Sequence, residues 1–390
     1  PSFRGTKISY KDVDDRIVSV IEYNRIKDPQ TNQPVLTEIK TTYDYDPLGQ
    51  ITRVVDNKSN TTTVAYDDLG RRTAISNLDT GKTVYNYDAN GNLTSKFTAN
   101  NHKISYRYDF NRLMGIDYPN SLKTATVSYE YGAMNEAYNR AGRIKKVTDE
   151  SGVEERKYGK LGETLREEKT VEAHTPAVQR KKFSTDYVFD SFGRMQEMTY
   201  PDGEKLHYAY DNGGLLKAAW GEKSGNRYDY ITKLHYDEFG QRTNIVYGNG
   251  TKTTYSYDDK TRRLDHLTTV LKDGRTIQNI AYDYDLMGNV GETWNNIQVP
   301  TNTALPAGPV KQKFEYDDLY QITDGKGWYS FGPGKENNYH NEFFYDTIGN
   351  FVKKNQAHKV IQPSTTETLP KETNYVLKYV YGSNKPHAVT

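Results

Sequence analysis

The residues able to do chemistry are few and scattered. Cysteine is absent, which removes thiolate nucleophiles, disulfides and thiolate metal ligands. The eight histidines are His102, His174, His207, His235, His266, His340, His358 and His387. None pairs with another at the H-x3-H or H-E-x-x-H spacing that would set two imidazoles around one metal ion. His207 and His235 stand beside tyrosines in alternating, strand-like segments, where an ordinary packed or surface ring is the expected role. Asp44 with Asp46, and Asp283 with Asp285, put two carboxylates at alternate positions near a glycine turn, faintly like a calcium loop. Calcium needs about six oxygen ligands from a longer acidic loop, so these aspartates are read as turn residues. With 51 acidic residues, chance carboxylate pairs are expected, and only their separation in space would bear on glycosidase chemistry. No G-x-S-x-G elbow, phosphate-cradling glycine loop or dinucleotide fingerprint occurs. Asn90-Gly91-Asn92 and Gly248-Asn249-Gly250 are glycine-rich but punctuate hairpins. No catalytic, cofactor-binding or metal-binding residue is assigned, and the chain is read as a non-enzyme that carries no cofactor.

The elements behind this sparse chemistry are unusual. The 390 residues include 34 Tyr and 30 Gly but only 35% hydrophobic residues, too few aliphatics for a thick core. Disordered chains are poor in aromatics and β-branched residues, whereas Tyr, Thr and Val here suit a pleated, half-buried surface. An all-β, thin fold is expected. The net charge is +1, with both signs interspersed even in the dense stretch 140–182, so no basic stripe for nucleic acid forms. No run of 18 apolar residues offers a membrane span, and no signal peptide is visible. Because Pro1 takes the place of an initiating Met, a fragment of a longer protein is expected.

A repeat organises the chain. Its pattern is Y-x-Y-D-x-x-G-x-[LIV], seen in Tyr43 to Ile51 and Tyr85 to Leu93, with Tyr66-Asp67-Asp68-Leu69-Gly70 between them. Tyr106-Arg107-Tyr108-Asp109 follows with Arg112 in the glycine position. The second tyrosine falls at 45, 66, 87 and 108, a spacing of 21 each time. Looser copies continue through Tyr187 to Met195, Tyr236 to Gly240, Tyr282 to Gly288, Tyr345 to Gly349 and Tyr379 to Gly382. Residues 1–390 are therefore read as one continuous array, regular over 41–118 and carrying insertions over 119–390. Stretches rich in Pro, Gly, Asn or Thr are expected loops: Pro29 to Pro34, Gly291 to Pro309, Gly325 to Asn338 and His358 to Pro370.

The motif reads as a hairpin. In a strand, residues two apart share a face, so both rings of Y-x-Y point the same way. The aspartate opens a type I turn by accepting from its amides, and the glycine supplies the left-handed residue that follows. Second turns stand at Leu78-Asp79-Thr80-Gly81, Tyr200-Pro201-Asp202-Gly203 and Lys272-Asp273-Gly274. Two strands and two turns consume roughly 21 residues at ordinary strand lengths. A lone hairpin is marginal in water, so neighbours must pair side by side, and so wide a sheet twists and curls. The tyrosine hydroxyls are expected to face water or a polar lumen.

This motif, repeated more than ten times from about Thr6 to Thr390, resembles the YD-repeat or RHS-repeat family. The ending Tyr381 to Thr390 is similar to a run found late in such proteins. The resemblance implies tandem β-hairpins forming a curled, spiralling single-layer antiparallel sheet, part of a hollow shell. It implies a structural segment of a secreted or cell-surface bacterial protein that encloses or presents a toxin cargo. The implied partners are a C-terminal toxin or cargo domain, or other parts of the same shell, with no nucleic acid and no membrane span. The alternative it offers is an extracellular adhesion or carbohydrate-binding module contacting cell-surface glycans. Toxin-type members carry a self-cleaving segment around D-P-x-G-L; here Asp46-Pro47-Leu48-Gly49 is followed by Gln50 inside an ordinary repeat and is read as a turn.

Overall fold

A computed structural model describes residues 5–119, 126–173, 179–298, 308–363, 365–368 and 373–390. Among the described residues there are 32 strands and no helix. The expected all-β architecture of tandem antiparallel hairpins is the one observed. Most strands pair with their successor in sequence, as Ile17–Lys27 does with Pro34–Tyr45 and Val310–Tyr316 does with Ile322–Gly332. The regular tyrosines close their strands: Pro34–Tyr45, Thr61–Tyr66 and Gly81–Tyr87 all end on one.

The chain divides into two compact units. One comprises Pro1–Gly81 with Thr253–Thr390, the other Lys82–Lys252. In the first unit, the long strand Phe351–Gln362 pairs with Lys335–Tyr345 on one edge and with both Thr365–Thr368 and Tyr375–Lys378 on the other. A separate small hairpin joins Tyr381–Gly382 to Lys385–Val389. In the second unit, hairpins run in order from Leu93–Phe97 to Arg242–Tyr247, with pairs of up to eight residues between Thr164–Ala173 and Gln179–Phe189. The buried apolar side chains are few and dispersed, Val20, Ile39, Ala219, Leu234, Ile245 and Phe344 among them. Most strand positions are half-buried on both faces, as a thin sheet requires.

Each D-x-x-G turn has the same construction. Gly49 N–H donates to the Asp46 carbonyl at 3.0 Å, Asp46 N–H donates to the Gln50 carbonyl at 2.9 Å, and Gly49 sits at φ 81°. The ladder then shifts register by one residue, between Asp44 and Tyr45 here and between Ala65 and Tyr66 in the next unit. This is the type I turn with a bulge that the motif predicts, and Asp46-Pro47-Leu48-Gly49 is one such turn. The second-turn segments also behave as read: Gly203 N–H donates to the Tyr200 carbonyl at 2.9 Å and Gly274 N–H to the Leu271 carbonyl at 3.0 Å.

Three expectations need correction. Arg112 does not take a glycine position, because Asp109 pairs directly with Arg112 across a two-residue turn in which Phe110 adopts φ 53°. Gly325 to Asn338 is no loop but the hairpin of Ile322–Gly332 and Lys335–Tyr345. Its glycines serve packing: a Cβ on Gly327 would lie 2.0 Å from the Tyr339 ring, which crosses the strand there. His358 to Gln362 continues the strand Phe351–Gln362, with His358 paired to Tyr339, because a strand only half-buried along most of its length tolerates polar residues. Of the other expected loops, Pro29 to Pro34 holds the turn between its strands, with Asn32 N–H donating to the Asp28 carbonyl at 2.9 Å. Gly291 begins inside the strand Val290–Asn295, and residues 299–307 lie outside the described residues, as do His174, residue 364 and residues 369–372.

Candidate functional site

Two arrangements carry the polar chemistry of this chain: a clamp repeated from hairpin to hairpin, and a seam between two distant segments. The clamp begins at the turn aspartate. Asp190 Oδ1 accepts from the N–H groups of Phe192 and Arg194, both at 2.9 Å, and its Oδ2 accepts from Arg194 Nε at 2.7 Å. Asp285 accepts from the backbone of Met287, Gly288 and Asn289 and from Asn289 Nδ2, so its oxygens are spent within the turn. The faint calcium-loop pattern therefore resolves into turn-stabilising aspartates at Asp46 and Asp285. Backbone hydrogen bonds from Arg71 and Thr31 hold the Asp67 and Asp28 carboxyls below the usual aspartate value.

The second tyrosine of the motif completes the clamp. Among the described residues, at least ten tyrosine hydroxyls donate to a backbone carbonyl of the preceding hairpin, as in Tyr45 to Ile17, Tyr66 to Ile51, Tyr210 to Met195, Tyr284 to Leu264 and Tyr381 to Phe351. The accepting carbonyls stand at the strand start beside the register shift, where the ladder is locally disrupted. This corrects the expectation that the hydroxyls face water or a polar lumen. The ring itself is covered by an arginine in several units, with Arg194 over Tyr210 at 4.8 Å and Arg16 over Tyr45 at 5.3 Å.

The seam lies within the first unit. Asn24, 1% exposed, donates from Nδ2 to Asp317 Oδ2 at 3.0 Å and accepts from Asp318 N–H at 3.0 Å, across a sequence separation of 293 to 294 residues. Arg25 grips Asp318 with Nε at 2.8 Å and Nη2 at 2.9 Å, a bidentate geometry that Lys could not reproduce. Lys27 Nζ donates to Asp324 Oδ2 at 2.9 Å and to Glu342 Oε1 at 3.3 Å. Phe344, 1% exposed, is faced by two ammonium groups, Lys27 at 5.1 Å and Lys353 at 4.8 Å. Farther along, Lys58 pairs with Asp346 at 2.6 Å, and Asp79 accepts from His387 N–H at 2.9 Å and Nδ1 at 2.7 Å.

One cluster has a metal-like donor set that spacing along the chain hid. Asp324, His340 and Glu342 bring ligand atoms within 4.8 Å of one another. Two of them come from the strand Lys335–Tyr345 and one from its neighbour, so cross-strand register, not H-x3-H spacing, assembles them. His340 Nε2 already bonds Asp324 Oδ1 at 2.8 Å, and the Lys27 ammonium already bridges the two carboxylates. The lysine supplies the positive charge that a metal ion would otherwise bring, and the cluster is an ion-pair network. His207 and His235 lie in the strands Lys205–Tyr210 and Asn226–Tyr236 as expected, and His207 stacks on Trp220 at 5.2 Å.

The chain shares this architecture with known proteins. The RHS Repeat family model matches residues 40–82 and 87–123. None of the curated proteins compared matches the chain. Among solved structures, a TcdB2-TccC3-Cdc42 crystal structure is similar with a TM-score of 0.84 at 21% identity, over 98% of this chain and 20% of that one. A TcdB2-TccC3 crystal structure gives 0.82 at 22% identity, over 98% and 20%. The Photorhabdus luminescens Tc holotoxin pore gives 0.83 at 22% identity, over 98% and 19%. The chain thus spans about a fifth of the length of the solved chains it matches. The RHS Repeat family model thus matches two stretches of the chain, and the fold of these solved structures is shared through nearly all of its length.

Proposed function

We propose that this chain is a wall segment of an RHS-type shell, a structural β-scaffold that encloses or presents a cargo such as a toxin domain and performs no catalysis itself. On this reading residues 1–390 form one continuous hairpin array, and its partners are a cargo domain or further parts of the same wall. A secreted or surface-exposed bacterial protein is the setting that suits such a segment. The observation that carries the reading is the seam, where Asn24, Arg25 and Lys27 lock onto residues 293 to 315 positions later. A wall needs contacts of this kind where distant hairpins meet. The likeness to structures that contain TccC3 supports the same reading at the level of fold.

The test is electron cryomicroscopy of the intact natural protein from which the chain comes. Density of a separate domain enclosed by, or seated on, the array supports the proposal. An array that encloses and presents nothing, in a protein whose remaining mass forms an anchor, overturns it and favours an adhesion module. Turnover of glycoside or peptide substrates by this segment would overturn its non-catalytic part.

A further inference from the structure

A trough in the second unit follows from a run of small residues on one strand. Leu206 and Tyr208 pair with Gly221 and Ala219, so these four share one face of the sheet. The next strand offers Tyr230 and Ile231 beside the same two small residues. Large side chains thus flank a column of Ala and Gly, and the difference in height leaves a cavity of about 760 Å³. Tyr230 is seated on Gly221: a Cβ there would lie 2.8 Å from the Tyr230 ring and 2.4 Å from Glu204 Oε1. Phe183 and Tyr200 add two more rings to the walls.

The rim carries two carboxylates against the single Lys223 ammonium, a net negative charge. Asp202 is engaged by Lys223 at 2.5 Å, but Glu204 has no ion pair among the described residues. Glu204 accepts from the Tyr230 hydroxyl, which fixes its carboxylate at the trough and uses up that hydroxyl's proton. Aromatic faces carry negative quadrupoles, and an anchored carboxylate adds a full negative charge. An anion is repelled by this lining. A sugar would find an apolar floor of Ala219, Leu206 and Ile231 where it needs several fixed polar partners. We propose that the trough binds a small organic ammonium ion with apolar substituents, of the quaternary-amine class, held against the tyrosine rings with Glu204 as its counter-ion. Such binding is independent of the shell reading.

The experiment is calorimetric titration of the whole chain with choline chloride, against its uncharged tert-butyl analogue and against sodium chloride at equal ionic strength. Choline is expected to bind saturably, with the uncharged analogue and the Glu204→Gln variant each weaker by ~tenfold or more, the effect of removing one charge–charge or cation–π contact. Tyr200→Ala, which removes an exposed wall ring, is expected to weaken binding while leaving the melting temperature near that of the parent. Equal affinity for choline and its uncharged analogue, no saturable heat, or unchanged binding by a folded Glu204→Gln variant would each overturn the proposal. Tight binding of a neutral disaccharide in the same titration would also overturn it.

Discussion

At the scale of single residues, the second tyrosine of many repeats serves a hydroxyl bond to the hairpin before it. A neutral hydrogen bond of this kind contributes about 0.5–1.5 kcal/mol net, and an acceptor left without it loses somewhat more. Tyr210→Phe removes the 2.7 Å bond to the Met195 carbonyl and is expected to lower stability by about 1 kcal/mol in denaturant titration. The same tyrosines set an alkaline limit. Burial, with Asp317 nearby, pushes the Tyr345 hydroxyl from 10.0 up to about 12, and burial raises Tyr284 and Tyr316 as well. A phenol that holds its proton more tightly when folded stabilises the fold fully below pH 10 and loses that contribution as pH climbs toward 12. Phenolate absorbance and unfolding should therefore rise together in that window, and early titration of all tyrosines at pH 10 in the folded state would contradict it. The turn aspartates set the acid limit in the opposite sense. Asp67 and Asp258, lowered from 3.8 by backbone bonds from Arg71 and Thr261, contribute fully above that value and lose their contribution as pH falls through their folded values. Melting temperature is expected to drop below about pH 4, and a flat acid profile would count against this account.

At the scale of the element, the D-x-x-G turn is legible in the sequence because every part of it is local. The aspartate bonds amides two and four residues ahead, and the glycine answers a left-handed backbone that a side chain resists. Gly193 has φ 76° and open space where a Cβ would stand, so Gly193→Ala isolates backbone strain from steric clash. It is expected to cost about 1 kcal/mol. Tyr320 provides the reverse test, since it occupies the same turn position at φ 64° without being glycine. Tyr320→Gly relieves that strain and is expected to raise the denaturation midpoint; a lower midpoint would mean that its side-chain packing outweighs the backbone term. Where the sequence misled, the cause was equally local. Glycine and asparagine in 325–338 suggested a loop, but Gly327 is small because Tyr339 from the paired strand lies over it. Turn composition cannot distinguish a glycine that bends the chain from one that is covered.

At the scale of the whole molecule, the seam is where single changes should have consequences far along the chain. Lys27, Asp324 and Glu342 have side chains only 12%, 11% and 18% exposed, so solvent screens them little. Lys27→Met leaves two carboxylates facing one another without their cation and is expected to destabilise the first unit by roughly 3 kcal/mol or more. Hydrogen exchange is the informative readout: protection should fall both near Ile17–Lys27 and near Lys335–Tyr345, while hairpins of the second unit keep theirs. Loss confined to one segment would show that the seam does not couple them. Combining Lys27→Met with Asp324→Asn should cost less than the sum of the two, because the pair shares one interaction.

Residue types and short-range geometry were enough to define the repeating unit: the 21-residue spacing, the alternating strands, the aspartate–glycine turn and the lack of a thick core all follow from them. They were also enough to show that no helical or cysteine-based metal motif is written into the chain. What the tyrosine hydroxyls bond was settled in three dimensions, because their acceptors belong to a neighbouring hairpin and depend on register. Folding likewise placed Asn24 beside Asp317, brought His340 to Asp324 and Glu342, and opened a trough over Ala219 and Gly221. Periodicity fixes which side of a strand a residue faces. It carries no information about which strand, hundreds of residues away, will stand opposite, since that depends on accumulated twist and on the length of every insertion between.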